Sequence, residues 1–172
     1  PLNFVVSHPE FIPVTTRNTQ ENYYLENGAC AQTLDLVRIN PKSYGTFVEK
    51  LVRSFLHLNC SVSTEYDAVV PRTGTKIEIK APRFCASGDF FIQHIKPTHD
   101  FDLILVAILE PIGGFTLLVI EKKIALQLSD DQRGEGRIVK GTRLIKHGEI
   151  VTNQSELLAF IFSLNSINDF HR

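Results

Sequence analysis

Asp67, Glu78 and Lys80 are the residues of this chain whose types and spacing could do chemistry. They lie in residues 62–81, VSTEYDAVVPRTGTKIEIKA, which alternate as two half-buried strands do. In 62–70, Ser63, Glu65, Asp67 and Val69 share one face and Val62, Thr64, Tyr66, Ala68 and Val70 the other. Pro71-Arg72-Thr73-Gly74 breaks the pattern with turn residues. In 75–81, Lys76, Glu78 and Lys80 oppose Ile77, Ile79 and Ala81. A four-residue loop that sets Val70 against Thr75 brings Asp67 opposite Glu78, and Glu65 opposite Lys80, all on one face. Cross-strand Cβ atoms stand ~4.5–5.5 Å apart, where like charges destabilise. A divalent cation between the two acids reverses that sign, and Mg²⁺ suits them because it needs only one or two carboxylates besides water and substrate phosphate. The plainer alternative is a Glu65–Lys80 cross-strand pair with Asp67 and Glu78 solvated. The opposed acids, with Lys80 beside them, favour the metal.

The preceding element must present itself to that face. Residues 43–58, SYGTFVEKLVRSFLHL, have the periodicity of an amphipathic helix with Ser43 as its cap. At ~100° per residue, Phe47, Val48, Leu51, Val52, Phe55, Leu56 and Leu58 fill an apolar arc of ~180°. Glu49 borders that arc, placed either to look into the site or to pair with Arg53 one turn on.

A helix Glu, a strand Asp, and Glu-x-Lys on the next antiparallel strand resemble the PD-(D/E)XK nuclease superfamily, whose fold is that of restriction endonucleases. The matching positions are Glu49, Asp67 and Glu78-Ile79-Lys80, and the likeness spans roughly residues 43–128. Tyr66 stands where many members have Pro. The resemblance implies a Mg²⁺-dependent endonuclease (Mn²⁺ substituting) that leaves 5′-phosphate and 3′-hydroxyl ends. Asp67 and Glu78 would bind metal, joined by the Ile79 carbonyl, with Glu49 serving a second ion or its water. Lys80 would act on the attacking water or the phosphorus charge. In restriction-type relatives a polar residue after the Glu-x-Lys strand contacts substrate or positions water, which points to Gln93 or His94.

The remaining elements follow in order. Residues 1–42 are punctuated by Pro9, Pro13 and Pro41, with a short helix over 29–37 and Tyr23, Tyr24 and Leu25 available to dock on the body or on a second copy. Residues 85–96 read as strand or short helix. The run FDLILVAIL, 101–109, predicts a central strand buried on both faces. A turn at 111–114, an antiparallel strand over 115–120 and a short helix over 122–128 follow. The fold class is thus α/β (α+β), with a central mixed sheet of four to five strands flanked by helices. Residues 133–147 carry Arg133, Arg137, Lys140, Arg143 and Lys146 against Glu135 alone. That excess suggests a phosphate-contacting arm built on Arg137, Lys140, Arg143 and Lys146, with a hairpin through Arg143 and Lys146 between Gly141 and Gly148. Residues 155–164, capped by Ser155, predict a terminal helix.

Composition bounds the rest. A chain of 172 residues, 43% hydrophobic, supports one domain, which the resemblance makes a single nuclease domain: an N-terminal extension (1–42), a catalytic core (43–128), and a basic arm with the C-terminal helix (129–172). With a net charge of −1, contact with nucleic acid must come from a local patch. Cys30, Cys60 and Cys85, three at irregular spacing, read as reduced thiols. No apolar run spans a bilayer and no leader pattern opens the chain, so a cytoplasmic (or, in a eukaryotic or viral setting, nuclear) protein is expected. Size and charge resemble small type II restriction endonucleases, homodimers acting on duplex DNA. Junction resolvases and the viral cap-snatching RNA endonucleases are alternatives within the superfamily. An inactive fold used for nucleic-acid binding or assembly is the alternative of another class.

Overall fold

A computed structural model describes residues 19–169, so Pro9 and Pro13 lie outside the described residues. Three helices come first: α1 (Thr19–Glu26), α2 (Ala31–Arg38) and α3 (Pro41–Phe55). Then follow β1 (Asn59–Cys60), β2 (Ala68–Val69), β3 (Lys76–Lys80), β4 (Phe91–Ile95), β5 (Leu103–Leu109) and β6 (Phe115–Glu121). The chain continues through α4 (Lys122–Leu128), β7 (Asp130–Asp131), β8 (Arg137–Lys140) and α5 (Gly141–His147), and then β9 (Glu149–Ile150) and α6 (Gln154–Asp169).

The architecture is mixed α and β, but the sheet is larger than the expected four to five strands. Six strands run in the order β1-β2-β3-β5-β6-β9, and a separate three-stranded sheet runs β4-β8-β7. The two extra strands of the main sheet, β1 and β9, are two residues long, too short for periodicity to reveal. β3 and β5 are parallel, and the remaining pairs are antiparallel. All seven residues of β5 are buried, because both sheet faces are covered. Ile77, Ile79, Leu103 and Leu105 pack on α3 through Val48 and Val52. Ile104, Val106, Leu118 and Ile120 form a second core with Ile92, Val139, Ala125 and Leu144. β4 is therefore a strand of the covering layer, and residues 81–102, which cross from β3 to β5, pass through that layer.

Local chemistry sets the helix ends. α3 begins earlier than Ser43: Pro41 occupies its first turn and the Asn40 side chain accepts from the Ser43 amide at 3.0 Å. For α6 the Asn153 side chain accepts from the Glu156 amide at 3.0 Å, displacing Ser155 as the cap. The Glu156 carboxylate in turn accepts from the Thr152 amide at 2.6 Å. Residues 19–40 are part of the body. Tyr24 is 0% exposed, donates to the Leu109 carbonyl at 2.9 Å and accepts from the Phe84 amide at 3.1 Å. Residues 129–169 are likewise integrated, with β8 paired to β4 and Leu157 and Ile161 buried in the α3-side core. The segment through Arg143 and Lys146 is helix α5, not a hairpin; Leu144 turns inward while Arg143, Ile145 and Lys146 stay exposed.

No helix among the described residues is long and apolar enough to cross a membrane.

Candidate active site

The turn between β2 and β3 has the geometry its residues require. The Val70 amide donates to the Thr75 carbonyl and the Gly74 amide to the Val70 carbonyl, both at 2.9 Å. Gly74 supplies the positive φ of 70° that closes the loop. Ala68 pairs with Ile77 and Val69 with Lys76, the register expected from the sequence, but the pairing stops short of Asp67, which does not stand in register opposite Glu78.

The strand does not run back to Val62. The Asp67 amide donates one step out of that register, to the carbonyl of Ile77 at 2.9 Å, the residue that pairs with Ala68. At the next position the Asp67 carboxylate replaces a backbone carbonyl: Oδ2 accepts from the Ile79 amide at 2.7 Å. Beyond it the chain turns away, because serine side chains compete for the backbone. The Ser61 hydroxyl accepts from the Ser63 amide at 2.8 Å, and the Ser63 hydroxyl from the Glu65 amide at 3.1 Å. The expected Glu65–Lys80 pair is therefore absent. Glu65 accepts from the Asp100 amide at 3.3 Å, and Lys80 Nζ lies 2.7 Å from Glu78 Oε1.

This divergence leaves the β3 edge open where the candidate side chains gather. Within a strand, the N–H and C=O of one residue point the same way. The Ile79 amide points at Asp67, so the Ile79 carbonyl also points to the β2 side, past the paired residues of β2. Glu78 and Lys80 pair with Ile104 and Val106 of β5, which puts their side chains on the face opposite α3. Glu49 approaches from α3. It pairs with Arg53, whose Nη1 also donates to the Asp67 carbonyl at 3.2 Å. Glu49 thus pairs one turn on, and Arg53 ties that pair to the segment carrying Asp67.

The electrostatics register the crowding. Burial, then the charge of Glu78, and more weakly that of Glu49, push the Asp67 carboxyl up to about 6, against the Ile79 hydrogen bond and the Lys80 ammonium. A carboxylate that resists ionisation beside two other acids gains from a cation. Among the described residues no three acids, histidines or cysteines are grouped closely enough to hold an ion by themselves. Two carboxylates and a carbonyl are nevertheless a set that Mg²⁺ accepts, since water and substrate complete its shell. On that donor chemistry Asp67, Glu78 and Ile79 fit the ion.

The other expected contacts lie elsewhere. Gln93 and His94 are exposed on β4, at an irregularity in its pairing with β8. His94 has a φ of 55° and faces the 132–135 loop, its amide donating to Gln132 Oε1 at 3.0 Å. Three of the four basic candidates have partners inside the protein. Arg137 holds the Ser129 hydroxyl and carbonyl, each at 2.8 Å; Lys140 pairs with Asp89 at 3.0 Å; Arg143 pairs with Asp130 at 2.8 Å. These side chains clamp α4, the small sheet and α5 together and do not extend as an arm. Lys146 is exposed. Two residues that sequence reasoning passed over also matter. Arg53 had been legible only as the partner of Glu49 at i+4. Arg83 donates to the Leu36, Val37 and Ile39 carbonyls at 3.3, 2.6 and 2.8 Å and lies over the Tyr44 ring. No local signal marks Arg83, because the carbonyls it holds lie more than forty positions away. Compared with known proteins, the chain matches no family model and no curated protein.

Proposed function

We propose that this protein is a metal-dependent endonuclease with a restriction-endonuclease-like fold, acting on duplex DNA as a homodimer. The observation that carries the reading is the convergence of Asp67, Glu78 and Lys80, with Glu49 behind them, where β2 leaves β3. The order of elements supports it: a helix with Glu49, an antiparallel pair with the three strand residues, then a parallel buried strand.

Asp67, Glu78 and the Ile79 carbonyl would hold Mg²⁺. The ion would supply neutralisation of phosphate charge and acidification of the attacking water. Asp67 is fixed for this by the Ile79 amide, which occupies one oxygen. Lys80, held by Glu78, would orient the attacking water or stabilise charge gathering on the phosphate. Glu49, steadied by Arg53, would order water on the α3 side. Products would carry 5′-phosphate and 3′-hydroxyl ends.

A second reading draws on the same contacts. Pairing of Glu78 with Lys80 and of Glu49 with Arg53 satisfies these side chains without metal, as in a nuclease fold kept only for binding or assembly. Incubation with plasmid DNA and with RNA, each in Mg²⁺ or EDTA, separates the two. Cleavage confined to Mg²⁺ and lost in Asp67→Asn is expected. Intact DNA and RNA in every condition, with a melting curve indifferent to Mn²⁺, would leave only the binding reading. Cleavage of RNA alone, or of four-way junctions alone, would move the substrate to the corresponding branch of the superfamily.

A further inference from the structure

A cavity of about 210 Å³ opens past the end of β3, lined among others by Tyr44, Ala81, Arg83, Phe91 and Gln93. Its polar lining is rich in donors. Arg83 spends Nη1 on the carbonyls at the end of α2. A guanidinium has five N–H groups, so the Nε and Nη2 donors are not consumed by those bonds. Among the described residues no carboxylate forms an ion pair with Arg83, although the side chain is largely buried and its guanidinium is held below its ordinary proton affinity by desolvation. The Tyr44 ring lies under the guanidinium and walls the cavity, while its hydroxyl is closed off from solvent and has no hydrogen-bond partner among the described residues. Buried donors are normally paired, so a guanidinium with unspent N–H groups at a cavity calls for an acceptor. Gln93 adds an amide and no charge.

Size and position narrow the ligand. The cavity is smaller than the ~300–1,000 Å³ typical of small-molecule sites, which suits one tetrahedral oxyanion. Ala81 lies three strand residues from Glu78, about 10 Å at the rise of a β-strand. Tyr44 lies five helical residues from Glu49, about 7.5 Å along α3. A DNA strand advances ~3.4 Å per nucleotide, so the cavity stands about two or three nucleotides from the acidic cluster. We propose that it binds one phosphate of the substrate strand, with Arg83 and Gln93 as donors and the Tyr44 ring as a wall. The assignment rests on the nuclease reading and adds to it the place where the strand is gripped.

Arg83→Ala would also free the end of α2, so the test uses Gln93→Glu, an exposed strand position, and Tyr44→Phe, which keeps the ring under Arg83. Binding of a fluorescein-labelled duplex in EDTA is measured against salt, and melting is measured with inorganic phosphate against chloride of equal ionic strength. Gln93→Glu should weaken duplex binding by about tenfold, as losing a charged hydrogen bond does. Its log–log salt slope should fall by ~0.9 for the lost phosphate. Tyr44→Phe removes only the enclosed hydroxyl, so it should melt at or above the parent and bind the duplex with the parent's affinity. The parent, but not Gln93→Glu, should melt higher in phosphate. If Gln93→Glu binds with the parent's affinity and slope while the parent cleaves, this assignment falls and the nuclease reading stands. A phosphate-dependent melting shift in a parent that binds no nucleic acid would overturn both and leave a site for free phosphate.

Discussion

Replacing Asp67 with Asn should make the metal-free protein more stable while destroying its function. Asn keeps an oxygen to accept from the Ile79 amide, as Asp67 Oδ2 does at 2.7 Å, and has nearly the same shape. What it removes is a charge that burial and Glu78 oppose. The Asp67 carboxyl sits at about 6, above its unfolded value, so the native state favours the protonated form. Native stability from this group is complete below pH ~4 and is lost as pH rises through about 6. A rise of that size corresponds to at most ~3 kcal/mol, which screening at a half-buried site reduces to roughly 1–2 kcal/mol. The Asp67→Asn variant recovers it at pH 8, and for a chain of this size that is roughly 3–6 °C in melting temperature. The advantage should shrink toward zero as pH falls to about 4, where the parent carboxyl is protonated in the native state. Saturating Mn²⁺ should reverse the order by raising the parent's melting temperature and not the variant's. Thermal melts of both proteins at pH 4 and 8, with EDTA or Mn²⁺, give the four comparisons needed. If the variant is no more stable than the parent at pH 8, or if its advantage is the same at pH 4, the acids do not repel as described.

Lys80→Ala should slow cleavage by ~10²-fold or more, the scale of a positioned proton-transfer or charge-stabilising group. Glu65→Ala, which touches the Asp100 amide and not Lys80, should leave the rate within about twofold in the same gel assay. Arg53→Ala frees Glu49 and removes the tie to the Asp67 carbonyl, so cleavage should fall with KM little changed; a KM effect alone would contradict its placement. Tyr24→Phe strands the Leu109 carbonyl and the Phe84 amide, costing about 1–3 kcal/mol in denaturant melts; a neutral result would mean α1 is not anchored to the body. Arg137→Ala should lower stability by a similar ~1–3 kcal/mol, since it holds the buried Ser129, whereas Lys146→Ala should only flatten the salt dependence of duplex binding, by ~0.9 for one phosphate contact.

Much of this protein was written in local pattern. The apolar run 101–109 could only be a strand covered on both faces, and β5 is one. The turn residues 71–74 set the pairing of Ala68 with Ile77, because register follows from loop length, whereas Asp67 leaves that register through its bond to the Ile77 carbonyl. The α3 stripe put Glu49 at the border of the buried face for the same reason: the spacing of side chains on a helix is a property of the backbone. Tertiary structure decided what periodicity does not encode. Residues 62–66 alternate like a strand, yet the Ser61 and Ser63 hydroxyls capture the backbone and end β2 at Ala68, which opens the β3 edge and turns Lys80 from Glu65 to Glu78. The excess of positive charge in 133–147 reads as an arm until Ser129, Asp89 and Asp130 are brought against it by folding. Arg83 follows the same logic, since its partners come from α2 and α3 and only the packing of those helices on β3 makes them neighbours. Backbone geometry is local and can be read along the chain, whereas the partner of a charge is whatever the fold carries to within a few ångströms of it.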